Sequence, residues 1–172
     1  MCYDIPMIET KHLIIDKAKY EDWKDIYHNV WSREETKRYM FWNLTTSEDD
    51  ARDRMLRTLN YQSEHPYAYF IYLKETMKAI GFCGFHICGD DAVEECGIAL
   101  GPEYTHRGLG KEVVYGLVDY VFNKLNMKTF VYRCREENEA SRKLALSCGF
   151  EYVRKYTDEK GIVLLEFTLH KL

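Results

Sequence analysis

Two glycines and two cations stand together at the start of an apolar-periodic segment, in the stretch GPEYTHRGLGKEVVYG (residues 101–116). Glycine allows a backbone to bend sharply or to approach another molecule closely. Backbone N–H groups are free where a helix begins, and the helix dipole favours an anion at that end. Gly108 and Gly110 would allow close approach, while Arg107 and Lys111 would add positive charge. The spacing therefore predicts a phosphate-binding turn, with a pyrophosphate as its natural ligand.

Two familiar phosphate-binding motifs do not fit this turn. A P-loop requires GxxxxGK[ST], but no glycine lies at the required distance and Glu112 follows the lysine. A dinucleotide-binding fold requires GxGxxG, but Val113 occupies the third glycine position and the supporting βαβ repeat is missing. The structural alternative is that the two glycines only make a tight strand-to-helix turn.

A third motif fits better. The turn resembles the acetyl-CoA-binding motif of the GNAT acyltransferases, R/Q-x-x-G-x-G/A, and VEECGIALGPEYTHRGLGKEVV is most similar to the branch of ribosomal-protein and N-terminal-alanine acetyltransferases. NEASRKLALSCGF resembles the second motif of the family, and IETKHLIID resembles the opening strand of the branch. The three motifs follow the family order over nearly the whole chain. Thr105 departs from the usual arginine or glutamine, and His12 and Asp16 stand where arginines are common, so we expect altered cosubstrate affinity without loss of binding.

The resemblance implies an N-acetyltransferase that moves an acetyl group from acetyl-CoA to a primary amine by direct transfer in a ternary complex. In such proteins the glycine-rich turn wraps the pyrophosphate with its amides, and the preceding strand pairs its backbone with the pantetheine arm. Asn138 would contact the pantetheine or help to hold the splayed strands. The residues that the resemblance assigns to the cosubstrate are Ile98, Leu100, His106, Arg107, Gly108, Leu109, Gly110, Lys111 and Asn138.

Acetyl transfer requires a neutral amine, and lysine-type amines are mostly protonated at neutral pH, so a general base must remove a proton. Glu95 is the first candidate, because it matches the glutamate of this branch and precedes Ile98 by three residues. Glu94 is the competitor, since strand alternation points the two carboxylates to opposite faces. The structural alternative for Glu95 is a solvated or ion-paired glutamate.

The family's usual general acid is a tyrosine on the second-motif helix, and Ala145 occupies that position here. The ribosomal-protein branch suggests Ser141 as the replacement, although a hydrogen bond within the first helical turn would explain this serine as well. Tyr152, an ordered water or unaided departure of the thiolate are the other possibilities. The rival function is a CoA-binding sensor or interaction protein without catalysis, which Thr105 and Ala145 keep open. An ATP- or NAD-binding protein is a third possibility.

The six cysteines form no CxxC pair and are predicted to be small buried hydrophobic residues in a reducing compartment. Cys134 would lie near the sulfur of CoA, but a structural role is favoured over a covalent acyl-cysteine. On an extended strand Cys83 faces opposite to His86 and Cys88, so no metal site is predicted. The cysteines are residues 2, 83, 88, 96, 134 and 148.

Hydrophobic periodicity predicts the order β-α-α-(α)-βββ-α-β-α-ββ. This order indicates the α/β (α+β) class, and the resemblance implies a single N-acetyltransferase domain over residues 1–172. A GNAT-like mixed, mostly antiparallel central sheet should carry helices on both faces. The predicted strands are 9–17, 67–73, 79–88, 93–100, 128–134, 150–156 and 162–169, and the predicted helices are 20–30, 33–39, a helix capped at 46–47, a helix after the glycine turn, and 138–147.

Composition excludes several partners. The 172 residues carry a formal net charge of −4, which gives no support for nucleic-acid binding. No apolar run approaches the length of a membrane span and the start lacks a signal-peptide pattern, so we expect a cytoplasmic protein without membrane partners. The expected partners are acetyl-CoA and an amine acceptor, which could be a peptide N-terminus, a polyamine, an antibiotic or a metabolite. The sequence leaves a homodimer open.

The acceptor should bind the least family-like part of the chain, residues 31–66, which is rich in aromatic residues and acids. The acids there would suit a cationic amine. The alternative is that the aromatic rings only pack helices onto the sheet. The rings that could wall a pocket are Tyr39, Phe41, Trp42, Tyr61 and Tyr67.

Overall fold

Strands separated along the chain assemble into one open sheet in the computed structural model, which describes residues 7–172. In this part of the chain the sheet has nine strands in the order β1-β2-β3-β4-β5-β7-β9-β8, and β6 pairs with β4 beside β5. Every pairing is antiparallel except that of β5 with β7. The predicted mixed, mostly antiparallel sheet is therefore confirmed. The strands are β1 (Ile8–Glu9), β2 (Leu13–Asp16), β3 (Ala68–Leu73), β4 (Lys78–Ile87), β5 (Ala92–Glu95), β6 (Ala99–Leu100), β7 (Thr129–Arg135), β8 (Glu151–Thr157) and β9 (Val163–His170).

Helices cover both faces of this sheet. Along β3, Tyr69 and Ile71 pack into a core with the helix that follows the glycine turn, while Phe70 and Tyr72 pack into a second core on the opposite face. Because both faces are covered, β3 reads as a continuous apolar run. The α-helices of residues 7–172 are α1 (Trp23–Ile26), α2 (Glu34–Lys37), α3 (Glu48–Glu64), α4 (Leu109–Asp119) and α5 (Glu139–Ser147).

The predicted helix over residues 20–30 is broken into a 3₁₀ turn, the single turn α1 and a π turn over Tyr27–Trp31. Ser32 explains the wide last turn, because its N–H and its hydroxyl both donate to the carbonyl of Tyr27, at 3.1 Å and 2.8 Å. The helix α3 agrees with its predicted cap, since the Ser47 hydroxyl accepts from the N–H of Asp50 at 3.1 Å.

The predicted opening strand over residues 9–17 is instead a hairpin of β1 and β2. Glu112 of α4 fixes the turn of this hairpin, because its carboxylate accepts from the Thr10 hydroxyl at 2.5 Å and from the His12 N–H at 2.6 Å. His12 thus serves as a tether between the hairpin and α4.

The predicted strand over residues 93–100 is divided into β5 and β6 by an irregular segment in which Gly97 has a φ of +119°. β5 pairs with β4 and β7, whereas β6 pairs with β4 alone among the described strands. A gap therefore opens between β6 and β7.

The pairing of β6 requires glycine at position 81. A Cβ there would lie 2.2 Å from the carbonyl oxygen of Ala99. We expect Gly81→Ala to lower the free energy of unfolding by about 1–3 kcal/mol, because the strands must separate. Urea denaturation measures this change, with Gly89→Ala as the control, where a Cβ would meet its nearest neighbour at 3.6 Å. Equal stability of the two variants would contradict the prediction.

Candidate functional site

The gap between β6 and β7 exposes backbone groups of both predicted pantetheine residues. The parallel pairing of β5 with β7 ends at Glu94 and Val131. Gly101 donates its N–H to the carbonyl of Ile80 at 2.8 Å, and partners alternate along an antiparallel pair, so the backbone groups of Ile98 and Leu100 point away from β4. They therefore face the gap.

The carboxylate of Glu95 lies at the point where the gap opens. It accepts from the N–H of Gly97 at 2.6 Å and from the N–H of Arg133 on β7 at 3.4 Å. The carboxylate thus replaces the backbone hydrogen bond that would come next between β5 and β7. Burial raises the pKa of Glu95 to about 7, against the opposing effect of the two amide donors.

Glu94 points to the opposite face, where its carboxylate pairs with the guanidinium of Arg133. That guanidinium also pairs with Glu166 at 2.9 Å. Strand alternation therefore separates the two candidate bases as predicted, and it is Glu95 that faces the gap.

Ser141 approaches the same region from α5. Its hydroxyl lies 2.8 Å from the hydroxyl of Tyr132 on β7, and its N–H donates to the side chain of Asn138 at 3.1 Å. Asn138 is therefore the N-cap of α5. Burial, and then Glu95, raise the pKa of Tyr132, which keeps its hydroxyl protonated. Sequence reasoning missed Tyr132, although the alternation along β7 places its side chain on the same face as Cys134.

Two further catalytic alternatives lose support. Tyr152 is 56% exposed on β8, where it packs edge-on against Phe167, two strands away from Tyr132. Cys134 is buried, and burial raises the pKa of its thiol, which disfavours a nucleophilic thiolate.

The glycine turn presents a row of free backbone donors. Gly108 is the N-cap of α4 with a φ of +77°, and a Cβ there would meet nothing within 4 Å. Within residues 7–172, the N–H groups of residues 106–111 donate to no protein acceptor. A Cβ on Gly110 would lie 3.6 Å from Leu144 of α5 and 3.9 Å from Leu100 of β6, so the turn spans the gap. Free amides at a helix start form an anion site.

A cavity of about 500 Å³ lies on the α3 side of the sheet and adjoins a second of about 190 Å³. The two cavities share wall residues, and the second reaches Cys96 and Gly97 beside Glu95. The shared walls are Trp42, Arg54, Thr58 and Tyr61.

The predicted aromatic and acidic pocket is only partly correct. Trp42 and Tyr61 line the cavities. Tyr67, however, stacks on Phe85 in the other core, and Phe41 is 67% exposed. The charge is also different, because Arg54 and Arg57 line the larger cavity with Asp50 as its one acidic wall residue among those described.

The prediction that all cysteines are buried is wrong for two of them. Cys83, Cys134 and Cys148 are buried, whereas Cys88 and Cys96 are exposed because they follow the last residues of β4 and β5. The remaining prediction concerns Cys2, which lies outside the described residues.

Comparison with known proteins decides the family. The model of the acetyltransferase (GNAT) domain matches residues 12–151. The chain belongs to the GNAT acetyltransferase family. It is 33% identical over 158 residues to the N-acetyltransferase p20 of Bacillus licheniformis, whose own activity is uncharacterized, with 88% of each chain covered.

Solved GNAT structures share the fold. An acetyltransferase of the family from Bacillus anthracis aligns with a TM-score of 0.82 at 18% identity, covering 96% of this chain and 98% of that one. The ribosomal L7/L12 alpha-N-protein acetyltransferase RimL, solved with coenzyme A in a disulfide with one of its cysteines, aligns with a TM-score of 0.78 at 16% identity, covering 96% and 98%. The GNAT resemblance predicted from three motifs is thus confirmed.

Acetyl-CoA, the predicted cosubstrate, is the acetyl donor of the GNAT family. The free amides of the glycine turn and the open gap fit such a ligand, which carries a pyrophosphate and an extended amide-bearing arm. None of the helices in residues 7–172 has the length and apolar character needed to cross a bilayer.

The raised pKa of Glu95 makes stability depend on pH. The folded protein binds this proton more tightly than the unfolded chain, whose glutamate pKa is about 4.3, so stability falls as pH rises towards the folded pKa of about 7. Glu95→Gln avoids this loss. We expect the variant to gain stability relative to the parent between pH 5 and pH 8, measured by urea denaturation.

The neighbouring substitution Glu94→Gln serves as the control. It removes one of the two carboxylates that pair with Arg133 and should lower stability at pH 8. If Glu95→Gln and the parent differ in free energy of unfolding by the same amount at pH 5 and at pH 8, the carboxyl of Glu95 does not have the raised pKa.

Proposed function

We propose that this protein transfers the acetyl group of acetyl-CoA directly to a primary amine within a ternary complex. The observation that carries the proposal is the position of the Glu95 carboxylate at the opening of the gap between β6 and β7. A row of free amides lies at one end of this gap, and a cavity wide enough for an acceptor lies on the α3 side. The free cysteines are in keeping with a cytoplasmic setting.

The glycine turn would hold the pyrophosphate. The amides of residues 106–111 can donate to its oxygens, and Arg107 and Lys111 add positive charge that is not engaged in any ion pair of the described residues. The backbone of Ile98 and Leu100 would pair with the pantetheine amides, as a strand would. Asn138 would act indirectly, by capping the helix that presents Ser141.

Glu95 would act as the general base. The acceptor nitrogen gives up a proton to the carboxylate and forms a C–N bond with the thioester carbonyl carbon. The C–S bond then breaks, and the sulfur leaves with the electron pair. Since the pKa of Glu95 is raised to about 7, a large fraction of the carboxylate is ionised at neutral pH while its basicity exceeds that of an ordinary glutamate.

Backbone and hydroxyl donors can stabilise the carbonyl oxygen and the sulfur of the thioester during the transfer. The N–H of Ile98 has no acceptor in residues 7–172 and faces the gap, so it can donate to the oxygen that gains negative charge. The paired hydroxyls of Tyr132 and Ser141 can pass a proton to the departing sulfur. Neither role requires a tyrosine at Ala145, which is fully buried.

The turn assignment predicts the effect of Gly108→Glu. A carboxylate at this open position would repel the pyrophosphate, so calorimetric titration should show loss of acetyl-CoA binding. Gly161→Glu is a matched control, because Gly161 has the same φ of +77° and equally open surroundings in the β8–β9 turn. Unchanged acetyl-CoA affinity of the Gly108 variant would remove the turn from the cosubstrate site.

The base assignment predicts the effect of Glu95→Gln on turnover. We expect kcat/KM to fall by roughly 100-fold or more, with acetyl-CoA affinity nearly intact. In the parent the rate should rise with pH through an inflection near 7, since the carboxylate must be ionised, and this inflection should vanish in the variant. Release of free thiol measures the rate.

Glu94→Gln is the control for turnover and should retain the inflection. A fully active Glu95 variant would assign the base to another group. Binding of acetyl-CoA without thiol release for any amine would instead indicate a CoA-binding sensor.

A further inference from the structure

The cavity on the α3 side holds a half-buried cation that contacts two aromatic rings. Arg54 lies between two indole rings, with its guanidinium carbon 4.5 Å from the ring centroids of both Trp31 and Trp42. One of its nitrogens donates to the hydroxyl of Thr45 at 2.9 Å and to the carbonyl of Asn43 at 3.4 Å. These contacts fix the plane of the guanidinium and leave its other N–H groups without a hydrogen-bond acceptor in residues 7–172.

A second cation stands beside the first. Arg57 follows Arg54 by three residues on α3, and both side chains line the same cavity. Burial, and then the charge of Arg57, lower the pKa of Arg54 to about 10, so the Arg54 guanidinium remains charged at neutral pH. Arg54 is half-buried and Arg57 is exposed, and their like charges repel each other unless an anion joins them.

One carboxylate of the described residues lines this cavity, but it does not pair with either arginine. Neither Arg54 nor Arg57 forms an ion pair with a carboxylate of residues 7–172. Asp50 lines the cavity, but its carboxylate lies 3.4 Å from the hydroxyl of Thr46. Arg52, in contrast, pairs with Glu48 and Asp49 at 3.2 Å and 2.8 Å on a different face of the same helix.

One residue of the cavity wall carries a further donor without a partner. The indole Nε1 of Trp42 is buried and has no hydrogen-bond partner in the described part of the chain. A buried N–H without an acceptor is uncommon, and each one requires an explanation. An anion held by the two arginines would bring acceptor oxygens to the wall that Trp42 forms.

We propose that this cavity selects amine acceptors that carry an anionic group, a carboxylate or a phosphate, which binds Arg54 and Arg57. The inference rests on the proposed acetyl transfer and specifies its acceptor. The smaller cavity continues from Arg54 to Gly97, whose N–H holds the Glu95 carboxylate, so the amine and the anionic group occupy opposite ends of one passage.

The charge of the cavity discriminates among the acceptors expected from the sequence. Polyamines and aminoglycosides carry only positive charges and would be repelled by the arginine pair. Amino acids, short peptides with a nearby carboxylate and phosphorylated amines supply one anionic group and one amine. A volume of about 500 Å³ lies within the range of cavities that hold small ligands.

Matched pairs of acceptors test the proposal. Glycylglycine is compared with glycylglycinamide, and phosphoethanolamine with ethanolamine, by thiol release at saturating acetyl-CoA. At least one anionic member should exceed its neutral partner in kcat/KM by roughly tenfold or more, the factor that a charge-assisted hydrogen bond provides. The pair with the larger ratio distinguishes a carboxylate from a phosphate. Ratios near one in both pairs would overturn the proposal.

Substitutions of the arginines test whether Arg54 and Arg57 cause the preference for anionic acceptors. Arg57→Gln should bring the preferred ratio towards one, and Arg54→Gln should do the same. Arg54 packs between two indoles, so Arg54→Lys provides a variant that keeps the charge and should retain more of the ratio. Arg52→Gln is the matched control on the same helix and should leave the ratio unchanged. A ratio that survives both glutamine substitutions would place the anion elsewhere.

A binding measurement separates this inference from the proposed function. The same acceptors are titrated into the free and the CoA-saturated protein while tryptophan fluorescence and heat are recorded, because two of the three tryptophans contact Arg54. Saturable binding of the anionic member that is lost in Arg57→Gln supports the anion site even where no thiol is released with any amine. Absence of such binding together with equal turnover of both members contradicts it.

Discussion

The site depends on one hydrogen bond in which the side chain of Glu95, instead of a backbone carbonyl, accepts from a backbone N–H of β7. The parallel ladder of β5 and β7 ends at Glu94, and the next donor of β7, the N–H of Arg133, meets the carboxylate of Glu95 instead of a carbonyl. Gly97 accommodates the same carboxylate through its own N–H and a positive φ. β6 therefore stays with β4, and β7 continues paired with β9 on its other edge only. Without this change the strands would pair along their full length, and no gap would reach the glycine turn.

The same arrangement sets the basicity of Glu95. Two amides stabilise the ionised carboxylate, but burial outweighs them and raises its pKa to about 7. The nearest guanidinium cannot reverse the shift, because Arg133 directs its side chain to the opposite face, where Glu94 and Glu166 engage it. Strand alternation thus keeps the Arg133 side chain from forming an ion pair with Glu95. One strand carries a structural glutamate and a candidate catalytic glutamate at consecutive positions.

Much of this structure could be predicted from the sequence because the signals are local. Alternation indicated most of the strands, and the glycine pair before an apolar stripe indicated the anion turn. The split between β5 and β6 was not predicted, since residues 96–100 read as the apolar end of one strand and the break depends on the contact of Glu95 with a distant strand. The hairpin at residues 8–16 likewise depends on Glu112, about one hundred residues further along the chain. Composition predicted acids near the acceptor, but Glu48 and Asp49 pair with Arg52 and leave a cavity dominated by arginines.

A protein with a net charge of −4 therefore has two proposed ligand sites that are both locally basic. The local charges act on the acceptor as well as on the cosubstrate. The anionic group of the acceptor offsets the charge of the arginine pair, and the amine lies at the other end of the passage, beside Glu95. A base with a pKa of about 7 takes a proton from an ammonium group more readily than an ordinary glutamate does. On the proposed assignment, the arginine pair retains the acceptor through its anionic group, and Glu95 generates the neutral nucleophile.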